Sequence, residues 1–118
     1  MKPIPIERII GKQLSSVEFV QDYVQLRFDG PTLTVFTWPV LRIATMSVHS
    51  RDVGYKDDLC ERIGHKVSSA SFHEANAINI TFDDGAEISI SLKSQDRERP
   101  EAGYFTVSGD PKEPLLDF

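Results

Sequence analysis

The chain has 118 residues and a formal net charge of −5. That length fits one domain, 1–118, which can bury roughly two-thirds of its unfolded surface and so needs no disulfide or metal to fold. A single cysteine, Cys60, excludes an internal disulfide and fits a reducing compartment.

The charge is uneven: residues 1–53 carry a net +1 and residues 54–118 a net −6. An acidic surface repels phosphate backbones, which disfavours nucleic acid as a partner. It suits solubility, or attraction to a basic protein.

The N-terminal stretch MKPIPIERIIGK has two prolines, a charged pair and no apolar run of signal-peptide length. No segment approaches the roughly 20 apolar residues of a membrane helix. The expectation is a cytoplasmic protein that does not engage a membrane.

Ile6 to Ile10, followed by Gly11, fits a single helical turn. Residues 13–20 read as a first strand. Val24, Leu26 and Phe28 then alternate with Gln25 and Arg27, the period-two pattern of a half-buried strand. Asp29-Gly30-Pro31 supplies a turn, because glycine takes positive φ freely and Asp tolerates it. Leu33 and Val35 belong to a third strand.

Trp38-Pro39 extends this meander to an edge or a break, since Pro39 cannot donate to a ladder. Val40, Leu41, Ile43 and Met46 fit one further strand, and 47–54 a polar loop. Over 55–63 the sequence YKDDLCERI places Tyr55, Leu59 and Ile63 on one apolar helical stripe. Asp57 and Asp58 suit the start of such a helix, Arg62 its end, and Gly64 a left-handed cap.

The chain then repeats itself. Residues 10–19, IGKQLSSVEF, match residues 63–72, IGHKVSSASF, at five of ten positions. Ile78, Ile80 and Phe82 follow, then the Asp83-Asp84-Gly85 turn, then Ile88, Ile90 and Leu92, in the order of the first copy. The repeat covers 6–45 and 60–108.

In both copies Leu14 and Phe19, or Val67 and Phe72, stand an odd number of residues apart. That spacing predicts a bulge or bend near Ser15-Ser16 and Ser68-Ser69, the alternative being a regular strand with both faces buried. The predicted fold is therefore mainly β, α+β at most: an internally duplicated antiparallel meander forming a pseudo-symmetric sandwich or barrel, with one short helix near 55–63.

Residues 93–102, KSQDRERPEA, carry six charges and read as an exposed loop. Tyr104, Phe105 and Val107 suggest a last strand. Leu115, Leu116 and Phe118 in the tail suit packing on the body or on a second copy.

No GxGxxG, P-loop, GxSxG or HExxH motif is present. Cys60 with His65 is the only thiol–imidazole combination at short range, yet a cysteine beside an apolar stripe is more often inert packing. His49, His65 and His73 lack the spacing of a zinc site, and the Asp96, Arg97, Glu98, Arg99 and Glu101 run reads first as a solvated loop. No metal and no cofactor is expected.

Three stretches carry a resemblance: Gly54-Tyr55-Lys56-Asp57-Asp58-Leu59-Cys60, Phe82-Asp83-Asp84-Gly85 and Arg99-Pro100-Glu101-Ala102. Through them the chain resembles a group of short bacterial proteins of unknown function. The resemblance implies a bacterial source and assigns no catalytic residue.

The leading functional expectation is a non-enzymatic binding module, in one form an immunity-like protein that masks a basic toxin. The alternatives are a small-ligand-binding β-barrel and an enzyme using Cys60 and His65. The binding site is expected at Trp38, Tyr55, Asp96, Arg97, Arg99 and Glu101, outside the repeated segments. The partner is a protein or a second copy, because an open sheet leaves edges that invite pairing.

Overall fold

The computed structural model describes residues 4–97, 99–110 and 112–118. Met1, Lys2, Pro3, Glu98 and Pro111, which fall in the N-terminal, charged-loop and tail readings above, lie outside the described residues.

A 3-10 turn over Ile6–Ile9 leads into β1 (Ser16–Val20), β2 (Tyr23–Arg27) and β3 (Thr32–Val35), then β4 (Val40–Ile43) and β5 (Met46–Val48). Helix α1 (Tyr55–Cys60) follows, then β6 (Val67–His73), β7 (Ala77–Phe82) and β8 (Glu87–Ser91). The chain ends in β9 (Gly103–Thr106) and β10 (Leu116–Asp117).

The described strands form two antiparallel five-stranded sheets, in the orders β1-β2-β3-β9-β10 and β5-β4-β8-β7-β6. The result is a sandwich and not a closed barrel. The first three strands of each half make a meander, and the next pair leaves for the opposite sheet. There β9 pairs with β3, and β4 pairs with β8.

Strand alternation drives this packing. On β2 and β3, Val24, Leu26, Leu33 and Val35 are buried and the residues between them half-exposed. On β7 and β8, Ile78, Ile80, Phe82, Ile88 and Ile90 do the same. These side chains meet Phe28, Leu41 and Phe105 in one core. Burial of a side chain of this size contributes about 1.5–3 kcal/mol.

The bulges are where the serine pairs predict them. Val67 pairs with Phe82 and Ser69 with Thr81, so Ser68 is the extra residue. The Ser68 Oγ donates to the Thr81 carbonyl at 3.1 Å. In the first unit Ser16 pairs with Arg27, and the Arg27 carbonyl also accepts from Ser15, from its N–H at 2.7 Å and its Oγ at 3.0 Å. The extra residue restores the inward face, so that Leu14 and Val67 are buried while Phe19 and Phe72 pack against the same core.

A short ladder joins the units. The Gly11 N–H donates to the Val67 carbonyl and the Gly64 N–H to the Leu14 carbonyl, both at 2.8 Å. The Leu14 N–H donates to His65 and the Val67 N–H to Lys12, around a Gln13–Lys66 bridge. Each bond has a counterpart in which the aligned residues exchange roles. Gly11 and Gly64 both take positive φ at the start of this ladder, the conformation that costs glycine least.

Three expectations need correction. The helix stops at Cys60, and Ile63 is 43% exposed while Arg62 is only 7% exposed. Beyond Leu59 the bonds tighten to i→i+3, Arg62 to Leu59 and Ile63 to Cys60, which rotates Ile63 off the stripe. Secondly, the expected single strand from Val40 to Met46 is two strands divided by a turn at Ala44-Thr45. Thirdly, the expected loop at 47–54 begins inside β5, because Val48 pairs with Leu41 and buries.

The tail divides between body and surface. Phe118 is buried, edge-on to Phe72 at 6.3 Å, but Leu115 is 60% exposed and Leu116 lies on the edge strand β10. Phe118 reaches the core over Gly103, where a Cβ would stand 2.6 Å from its ring and 2.1 Å from the Thr34 carbonyl.

Candidate functional site

The two crossovers, 36–39 and 92–102, meet at one side of the sandwich. The Thr37 Oγ1 donates to the Ser91 carbonyl at 3.3 Å, and the Phe36 N–H to Ala102 at 2.9 Å. Between the crossovers opens a cleft of about 570 Å³, walled by Phe36, Trp38, Asp96 and Arg99 and by Gln21 and Asp22 of the β1–β2 turn. A second cleft of about 420 Å³ lies beyond Trp38, over Phe19, Tyr55 and Lys56. Trp38 and Gln21 line both and form the wall between them.

Trp38 is 38% exposed and stacks on Phe19 at a centroid distance of 6.5 Å. Its backbone is fixed from below: the buried Tyr55 hydroxyl donates to the Pro39 carbonyl at 2.5 Å. Burial pushes the Tyr55 phenol well above its usual range, so it stays a neutral donor. Tyr55 is thus the floor of the second cleft and the anchor of the Trp38-Pro39 segment.

Arg99 crosses the first cleft. Its guanidinium lies 4.2 Å from the Phe36 ring centroid and 2.5 Å from an Asp22 carboxylate oxygen. Phe36 is itself held edge-on by Tyr23 and Tyr104. Asp96 accepts from the Ser91 hydroxyl at 2.6 Å.

Of the residues expected from sequence, Trp38, Asp96 and Arg99 therefore share one cleft and Tyr55 floors its neighbour. Arg97 and Glu101 are half-buried and stand off the walls of both. The sequence reading missed Phe19, Asp22 and Phe36. The available signal was aromatic residues on the outward-facing positions beside β2 and β3, where Tyr23 and Phe36 neighbour the buried Val24 and Val35.

Cys60 and His65 are differently engaged. Cys60 is exposed, not buried beside the stripe. Partial burial and the Asp57 carboxylate both push its thiol up, away from the thiolate a nucleophile needs. The His65 Nδ1 lies 2.9 Å from Asp83, and that hydrogen bond chiefly holds the Asp83 carboxyl below its ordinary value.

His65, Asp83 and Asp84 bring three ligand-type atoms within 4.8 Å of one another. The guanidinium of Arg62 already occupies that carboxylate cluster, 2.5 Å from Asp84. Burial works to raise the Asp84 carboxyl, but the Arg62 bond and charge, the Ala86 N–H and His65 outweigh it and hold it low. The group is an ion-pair network that ties the end of α1 to the β7–β8 turn.

Among the described residues, no helix is long and apolar enough to cross a membrane. No protein-family model, curated protein or solved structure matches the chain.

Proposed function

We propose that the protein is a non-enzymatic binding module that engages a protein partner at the paired clefts around Trp38. The observation that carries this reading is Trp38 itself, a half-exposed indole stacked on Phe19, followed by Pro39 whose carbonyl is held by Tyr55, and lining a cleft on each side. A few residues carry most of the binding energy at typical interfaces, and Trp, Tyr and Arg are enriched among them.

Both clefts open to solvent along the rim, which favours a protein segment over an enclosed small ligand. The acidic second half favours a basic partner. An immunity-like role in the bacterial cytoplasm fits that charge. The strand exchange and the shared hydrogen bonds support reading the two units as copies of one ancestral unit.

Trp38→Ala is the test. Affinity capture with the wild-type chain is expected to retain a basic partner, and the variant to bind it at least tenfold more weakly while still melting in one cooperative transition above the assay temperature. Equal capture by both proteins would place the interface elsewhere.

A further inference from the structure

We propose that Phe36 and Asp22 form a guanidinium receptor for an arginine of the basic partner, and that Arg99 is the resident occupant which that arginine displaces. The inference rests on reading the Trp38 clefts as the binding site.

The receptor is preorganised. Phe36 is clamped by near-perpendicular contacts with Tyr23 at 6.1 Å and Tyr104 at 5.4 Å, so its face is presented without rearrangement. Asp22 sits beside it on the β1–β2 turn and supplies the carboxylate. A planar guanidinium can stack on a ring and bond a carboxylate at its edge, which a point-like ammonium does less well.

Arg99 shows that the site accepts this group. It makes both contacts, yet it does so from an exposed crossover, with side chains 43% exposed for Arg99 and 59% for Asp22. Ion pairs and cation–π contacts at such exposure are weak, so an incoming arginine can replace it. The same device recurs across Trp38, where the Lys56 ammonium stands 5.5 Å over the Phe19 ring. The net charge of −5 attracts a basic partner to the protein as a whole, and Asp22 and Asp96 place two carboxylates in the first cleft.

The experiment titrates the full chain with Nα-acetyl-arginine amide and reads the fluorescence of Trp38, the only tryptophan. Amide shifts of Asp22 and Phe36 give a second readout. Arg99→Ala, which removes the occupant, is expected to bind the probe about fivefold more tightly than wild type and to prefer it to Nα-acetyl-lysine amide. Adding Asp22→Asn to that variant should abolish the gain.

The proposal fails if Arg99→Ala binds no more tightly, or if Asp22→Asn leaves the gain intact. It also fails if the wild type dimerises through Arg99, seen as a mass that rises with concentration and drops in Arg99→Ala, because the occupant is then a second copy. Should the gain be absent while Trp38→Ala still loses its partner, only the receptor is wrong. Should the gain appear while Trp38→Ala binds normally, the receptor stands and the Trp38 interface falls.

Discussion

At the end of the first helical turn stands Ile9, fully buried; at the aligned position of the second unit stands Arg62, almost as deeply buried and paired with Asp84. Around these two positions the backbones agree. The Phe28 N–H donates to the Pro31 carbonyl, and the Phe82 N–H to Ala86, across turns that differ by one residue. The Ser15 and Ser68 hydroxyls both donate to strand carbonyls at the bulges. The crossovers diverge most: 36–39 is short and aromatic, 92–102 long and charged. One backbone scheme therefore tolerates an aliphatic or a charged filling, and the freedom to differ lies where the strands change sheets, at the clefts.

If the units are equivalent in packing, their largest matched side chains should cost the same to remove. Phe28 and Phe82 are both buried to within 1%. Phe28→Ala and Phe82→Ala are each expected to lose about 3–5 kcal/mol, and to agree within about 1 kcal/mol. Urea denaturation of both variants checks this. A loss confined to one of them would mean that one sheet folds around the other, and the equivalence would be only topological.

The meanders were legible in the sequence because each depends on local signals: alternation at Val24-Leu26-Phe28 and Ile78-Ile80-Phe82, and turns at Asp29-Gly30 and Asp84-Gly85. The exchange of β4 and β9 between sheets was not legible, since strand partnership is a long-range choice that no local pattern encodes. Ile63 was misplaced because an α periodicity was carried through a segment that tightens after Leu59. At the clefts, Trp38 and Arg99 stood out by residue type. Asp22 did not, because its role comes from a contact with a residue far along the chain.

The Ile9–Arg62 difference predicts a pH dependence in one unit alone. Arg62→Met removes the partner of Asp84. The expected cost at neutral pH is about 1–2 kcal/mol, below the ~3–5 kcal/mol of a fully buried pair because Asp84 is 35% exposed. The Asp84 carboxyl is held low in the folded chain, so its stabilisation is complete above the ordinary carboxylate range and is lost as pH falls through the folded value. The gap between wild type and variant should therefore be widest above about pH 5 and close toward pH 2. Melting curves across this range show it. A constant gap would mean that Arg62 acts through its packed stem and not through its charge.

The smallest difference separates the two bulges. The Ser68 hydroxyl reaches the Thr81 and Phe82 carbonyls, whereas the Ser15 hydroxyl donates to Arg27 and also accepts from the Asp29 N–H at 3.3 Å. Asp29 takes a positive φ of 54°, a conformation that needs support in a non-glycine residue. Both serines are exposed, so water can replace part of what alanine removes. Ser68→Ala is expected to cost about 0.5 kcal/mol and Ser15→Ala about 1 kcal/mol, the excess reflecting the lost acceptor for Asp29. If Ser15→Ala with Asp29→Gly costs no less than Ser15→Ala alone, the hydroxyl is not what holds that turn. The two bulges would then differ only in which carbonyls their serines reach.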